Sequence, residues 1–113
     1  MEKLKKNGEF RRLYSKGKSF VTPYFVLYAI NTKRNKIRIG ITAGKKIGGA
    51  VQRNRAKRVI MAAFRQVLPN VSRGTDFVIV ARSRILGVKS TIVERLLKEK
   101  LIEAQLWSRE DAE

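Results

Sequence analysis

The chain has 113 residues, with 26 Lys and Arg against nine Asp and Glu, a net charge of +17 at pH 7. This length fits one domain, residues 1–113, with a single modest core. The absence of Cys excludes a disulfide framework and a Cys-based zinc site, and a surplus this large exceeds what solubility needs and calls for a polyanion.

In chain order, residues 3–15 read as a short helix with Phe10, Leu13 and Tyr14 on one side, at i, i+3 and i+4. Lys16-Gly17 ends it. A short strand over 18–21 follows, and Pro23 interrupts it. The run Tyr24-Phe25-Val26-Leu27-Tyr28-Ala29-Ile30 is a strand by aromatic and β-branched content. Alternation places Phe25, Leu27 and Ala29 on one face and Tyr24, Val26 and Tyr28 on the other. Residues 31–35 form a polar turn. Residues 36–42 alternate again, with three isoleucines inward, and a hairpin between the two strands is the expected pairing.

A loop over 43–49 carries Lys45, Lys46 and three glycines. Residues 50–68 read as a helix whose apolar stripe is Ala56, Val59, Ile60, Ala63, Phe64 and Val67. Pro69-Asn70 closes it. Residues 76–82 hold the apolar run Phe77-Val78-Ile79-Val80-Ala81, a buried central strand. Thr91-Ile92-Val93-Glu94 has the form of a capping box opening the last helix. Val93, Leu96, Leu97, Leu101 and Ala104 form that helix's core face, and Trp107 is expected to anchor its end. The order α-β-β-β-α-β-α predicts an α+β sandwich with a mainly antiparallel sheet and one βαβ unit. The first residues lack the apolar stretch of a signal peptide, and no apolar run could span a bilayer. A soluble cytoplasmic protein is expected, without a membrane partner.

The charge is concentrated. Residues 1–90 carry 22 Lys and Arg against three acids, Glu2, Glu9 and Asp76, whereas residues 91–113 carry four against six. The densest stretch is Arg53-Asn54-Arg55-Ala56-Lys57-Arg58, at the start of the second long helix. A solvated helix face normally mixes signs, but no acid lies between Glu9 and Asp76. Like charges at i, i+3 and i+4 repel by a few tenths of a kcal/mol per pair, which bound phosphates would relieve. Arg outnumbers Lys in the cluster, as bidentate phosphate contact favours. Opposite the apolar stripe lie Asn54, Arg58 and Arg65, with Arg55 and Lys57 flanking it. The loop Gly44-Lys45-Lys46-Ile47-Gly48-Gly49 suits backbone–phosphate contact at a helix start and lacks the Walker spacing for a nucleotide. Phe10, Tyr14, Val26 and Tyr28 either pack in the core or line a concave surface on which a single strand stacks its bases.

Catalytic groups are absent by type. There is no His and no Cys, and the three acids of residues 1–90 are far apart in sequence. A nuclease needs a general base or metals held by carboxylates, and neither pattern is present. Reactive groups and metal ions are expected to come from a partner.

The pattern Lys5-Lys6-x-x-Glu9-Phe10-x-x-x-Tyr14-x-x-Gly17, then Phe25-Val26-Leu27-Tyr28, then Arg38-x-Gly40-Ile41-x-x-x-Lys45-Lys46-Ile47-Gly48-x-Ala50-Val51-x-Arg53-Asn54-Arg55-x-Lys57-Arg58, closely resembles the protein subunit of bacterial ribonuclease P. The likeness covers roughly residues 3–105. It implies a ribonucleoprotein endonuclease in which a catalytic RNA removes the 5′ leader of precursor tRNA with Mg²⁺ held mainly by the RNA. No protein metal site and no further protein partner are implied. It further implies a leader-binding cleft at Phe10, Tyr14, Val26 and Tyr28. RNA contact is implied at Lys45, Lys46, Arg53, Asn54, Arg55, Lys57 and Arg58. A left-handed crossover in the βαβ unit is also implied, against the usual right-handed rule. The family often carries Arg at the position of Met61; here Arg65, one turn on, is the candidate replacement. The rival readings are a non-enzymatic basic RNA-binding protein, such as a ribosomal protein, and a cationic membrane-surface protein whose basic helix would expose an apolar face.

Overall fold

The computed structural model describes residues 1–108. The elements are β1 (Glu2–Lys3), α1 (Asn7–Lys16), β2 (Lys18–Val21), β3 (Phe25–Asn31), β4 (Ile37–Thr42), α2 (Ala50–Val67), β5 (Thr75–Ala81) and α3 (Ser90–Glu103). Short 3-10 turns occupy Lys45–Ile47, Leu68–Asn70 and Ser83–Ile85. One five-stranded sheet runs in the order β1-β4-β5-β3-β2. β2, β3 and β5 are antiparallel neighbours, while β4 lies parallel to both β5 and β1. The β4-α2-β5 passage is the expected βαβ unit.

The expected hairpin between β3 and β4 does not form. β5 lies between them, with Tyr28↔Val78 on one side and Gly40↔Val78 on the other. Thr75 through Ile79 are buried, so β5 needs cover on both faces and both edges. The β-hairpin of the fold is instead β2–β3. Thr22 makes its turn: the hydroxyl accepts from the Phe25 amide at 2.9 Å and donates to the Phe25 carbonyl at 2.8 Å.

Two helix starts also differ from expectation. α1 begins at Asn7, because Glu2 and Lys3 pair with β4 and the Leu4 amide donates to the Ile39 carbonyl at 2.8 Å. Leu4 is thereby buried beside Leu13 and Val78. α3 begins at Ser90, with Lys89 as its cap residue and no side-chain cap bond, so Thr91 lies inside the helix. Trp107 does close the C-terminal region, bridging Val71 and packing on the core beneath Lys98.

The sheet separates two environments. Its one face carries Phe25 and Leu27, Ile37 and Ile39, Phe77 and Ile79, all covered by α2 and α3. Phe64 of α2 meets Phe77 edge to face at 5.6 Å. Among the described residues, α1 is the helix that lies on the other face, over a small core of Leu4, Leu13 and Val78.

An ion cluster supplements that small core. Arg38 donates through Nε and Nη2 to the two oxygens of Asp76, at 2.9 and 2.6 Å, and through Nη1 to Glu9. Glu9 accepts from the Lys6 amide at 3.2 Å, where a carboxylate favours the helix N-terminus. Lys36 pairs with Glu2 at 2.8 Å. All three acids of residues 1–90 thus hold β1, α1 and β4 together. The Lys6 amide, followed by the Arg38 guanidinium, keeps the Glu9 carboxyl below its ordinary value of 4.5, and the carboxylates push Arg38 up. A depressed carboxyl stabilises the fold above its unfolded value and loses that contribution as pH falls through its folded value. Glu9→Gln should therefore lower the urea midpoint at about pH 7, and the gap to the unsubstituted chain should narrow as the pH falls below the ordinary carboxylate range and through the folded value of Glu9.

Candidate nucleic-acid interface

Strand register builds the floor of a cleft on the α1 face. Thr42, Val80 and Val26 lie side by side across β4, β5 and β3, and Val21 of β2 continues the row at 60% exposure. The next row is Gly40, Val78 and Tyr28. The third is Arg38, Asp76 and Ile30. α1 lies over the second and third rows and leaves the first open.

Phe10 and Tyr14 form the wall along α1. Tyr14 is 42% exposed and meets Tyr28 edge to face at 5.0 Å and 76°. Phe10 is half-buried over Gly40; a Cβ at Gly40 would fall 2.5 Å from the Phe10 ring and displace it from this position. A cleft of about 510 Å³ opens here, lined by Asn7, Phe10, Arg11, Tyr14 and Thr42. Val26 and Tyr28 of β3 are half-buried on the α1 face of the sheet and are not part of its lining. Of the four aromatic and apolar positions singled out in the sequence, Phe10 and Tyr14 line this cleft, Tyr28 reaches it through its edge contact with Tyr14, and Val26 lies in the cross-strand row of Thr42. Tyr24 does not join them. It precedes β3, packs on the main core and carries Arg84 over its ring at 5.8 Å. Asn7, Arg11 and Thr42 were not singled out, although Asn7, Arg11 and Tyr14 follow the i, i+4, i+7 spacing of one helix face.

The cationic residues adjoin this cleft. Lys45 and Lys46 are exposed on the 3-10 turn that follows β4, while Ile47 of the same turn is buried. Gly48 has φ +140°, a conformation that favours glycine, and leads to the α2 start. On α2, Asn54, Arg55, Lys57, Arg58 and Arg65 are exposed and Arg53 is half-buried. No acid stands in the first turn of α2, and none of the ion pairs among the described residues engages an α2 cation. Lys57 and Arg58 share a second depression with Phe10, so the basic helix and the aromatic wall meet. Arg65 lies apart, in the last turn, where a cation also suits the helix C-terminus.

The sequence model of the Ribonuclease P family matches residues 1–105. The chain belongs to the ribonuclease P protein family. A ribonuclease P protein component from Clostridium beijerinckii is 36% identical, covering 96% of this chain and 93% of the relative. One from Clostridium acetobutylicum is 40% identical over 92% and 89%. The Staphylococcus aureus RNase P protein structure superposes with a TM-score of 0.82 at 31% identity, covering 96% of this chain and 99% of that one. The Thermotoga maritima protein gives 0.76 at 29% identity, over 88% and 94%. Membership makes the chain a component of a tRNA-processing ribonucleoprotein, with RNA as its partner.

An unneutralised helix face should bind anions in the free protein. Pyrophosphate at about 100 times its Kd should stabilise the chain by about 2.7 kcal/mol, read as a rise in thermal midpoint over chloride at equal ionic strength. Replacing Lys57 and Arg58 together by Ala should remove most of that rise.

Proposed function

We propose that this chain, acting as one RNA-binding domain, binds both the catalytic RNA of ribonuclease P and the single-stranded 5′ leader of precursor tRNA in the cytoplasm. The observation that carries the reading is an open aromatic cleft abutting an acid-free basic helix, in a chain of this family. A cleft lined by Phe10, Tyr14 and Thr42, beside the cross-strand row that runs on to Val80 and Val26, offers apolar and π surfaces to unpaired bases, whereas a duplex keeps its base faces stacked. Arg11 stands at its margin to meet the leader backbone. Lys45 and Lys46 continue from the cleft toward α2. There Arg53, Asn54, Arg55, Lys57 and Arg58 meet phosphates of the catalytic RNA, and Arg65 extends the same face.

The holoenzyme hydrolyses a phosphodiester with Mg²⁺, and among the described residues no group of three acids is placed to hold that ion. Glu9 and Asp76 are both committed to Arg38, and Glu2 is committed to Lys36. The metal belongs to the RNA, and no chemical step passes through this chain. Its part is to position substrate and screen phosphate repulsion, which lowers the Mg²⁺ needed for assembly. The membrane-surface alternative conflicts with the fold: Ala56, Ile60, Ala63, Phe64 and Val67 of α2 are buried, leaving no apolar face to insert.

Reconstitution with a bacterial ribonuclease P RNA and precursor tRNA over a Mg²⁺ titration tests this reading. Cleavage should require the RNA, and the protein should lower the Mg²⁺ midpoint; cleavage by the RNA-free chain would overturn it. In the same assay Tyr28→Ala should weaken precursor binding by about tenfold, within the range of one lost stacking contact, and leave mature tRNA binding unchanged. Equal loss for both substrates would remove the leader from the cleft.

A further inference from the structure

The second depression, between α1, β4 and α2, is distinct from the aromatic cleft. Its volume is about 330 Å³, near the lower end of small-ligand sites. Leu4, Ile41 and Met61 give it an apolar lining, and Phe10 closes one side. Lys3, Lys57 and Arg58 rim it, and no acid lines it. This contrasts with the neighbouring groove at Lys5, Lys6 and Arg34, which contains both Glu2 and Glu9.

Three features select its occupant. β1 ends at Lys3, opposite Ile39, so no strand flanks Gly40 and Ile41 on that side of the sheet. A strand edge offers backbone hydrogen-bonding groups to whatever lies against it. Met61 follows Lys57 by four residues and Arg58 by three, placing an uncharged, polarisable side chain one turn beyond two phosphate-binding cations. Phe10 borders both this pocket and the aromatic cleft. An apolar slot with a hydrogen-bonding edge and a cationic rim fits one unstacked nucleotide: base inside, flanking phosphates on the rim.

We propose that this pocket, marked by Met61, receives a single unpaired nucleobase of the catalytic RNA. The inference rests on the ribonuclease P reading and deepens it. The catalytic RNA, rather than the leader, is the source because two of the three rim cations, Lys57 and Arg58, belong to α2, while the leader occupies the far side of Phe10. A base seated here would brace Phe10 against the cleft, coupling RNA assembly to leader binding.

The chain has no Cys, so Met61→Cys gives one attachment point for a photo-crosslinker. In complex with a bacterial ribonuclease P RNA, it should crosslink to one unpaired nucleotide of that RNA, with or without precursor tRNA. An abasic substitution there should weaken protein binding about tenfold. Met61→Trp, which fills the pocket, should cost a similar factor. The two losses should not multiply when combined, because they remove one contact. The salt dependence of binding should be unchanged by Met61→Trp and reduced by Arg58→Ala. Met61→Ala, which opens the pocket without crowding it, should give a smaller loss; circular dichroism checks the fold of each variant. Crosslinks confined to the leader, crosslinks scattered over paired RNA, or multiplicative losses would overturn the proposal. Failure of the unsubstituted chain to bind the RNA at all would instead remove the ribonuclease P reading beneath it.

Discussion

The structure depends on how few acids the chain has and where they sit. Three carboxylates serve residues 1–90, and all three lie against β4, where Arg38 joins Asp76 to Glu9 and Lys36 holds Glu2. The Asp76 side chain is 3% exposed, so this pair works where water screens it little. The cluster fastens the N-terminal segment and α1 to a sheet face that offers only a small apolar core. Among the described residues it also leaves the cations of the Lys45–Ile47 turn and of α2 without acid partners. One arrangement thus both positions the aromatic wall and keeps the basic surface available to phosphate.

The cleft follows from that fastening. Because α1 is tied at its N-terminal end, beside the Arg38 row, it covers two of the three cross-strand rows and stops short of Thr42, Val80 and Val26. Gly40 lets Phe10 lie directly on the sheet, and Tyr14 finds its edge-to-face partner in Tyr28. The result is a half-covered apolar floor beside cations. Such a surface suits unpaired bases, which can use both stacking and charge.

Much of this was legible in the sequence because it is local. The 3.6-residue stripe of α2 names the residues that are buried, and the alternation in β3 names the residues of each face. What failed were statements about neighbours. Alternation says which way Tyr28 points and nothing about which strand lies beside it, so β3 and β4 were paired through a short turn when β5 stands between them. Tyr24 fits the alternation yet lies before the strand begins, where the pleat no longer governs its direction. Leu4 looked like the start of a helix and is instead a core residue behind a two-residue strand, since one long-range backbone bond to Ile39 outweighs weak helix propensity at a helix end.

By itself the sequence determined the charge, the absence of His and Cys, the kinds of elements and the residues that face the core. It also carried the family motif, through residue types at fixed spacing. Tertiary structure alone decided that Asp76 meets Glu9 through Arg38, that Thr42 and Val80 join Val26 in one floor, and that Phe10 stands between a cleft and a pocket. These are contacts between residues tens of positions apart. They are set by which strand a buried, two-sided β5 admits on each edge, and short-range periodicity contains no term for that choice.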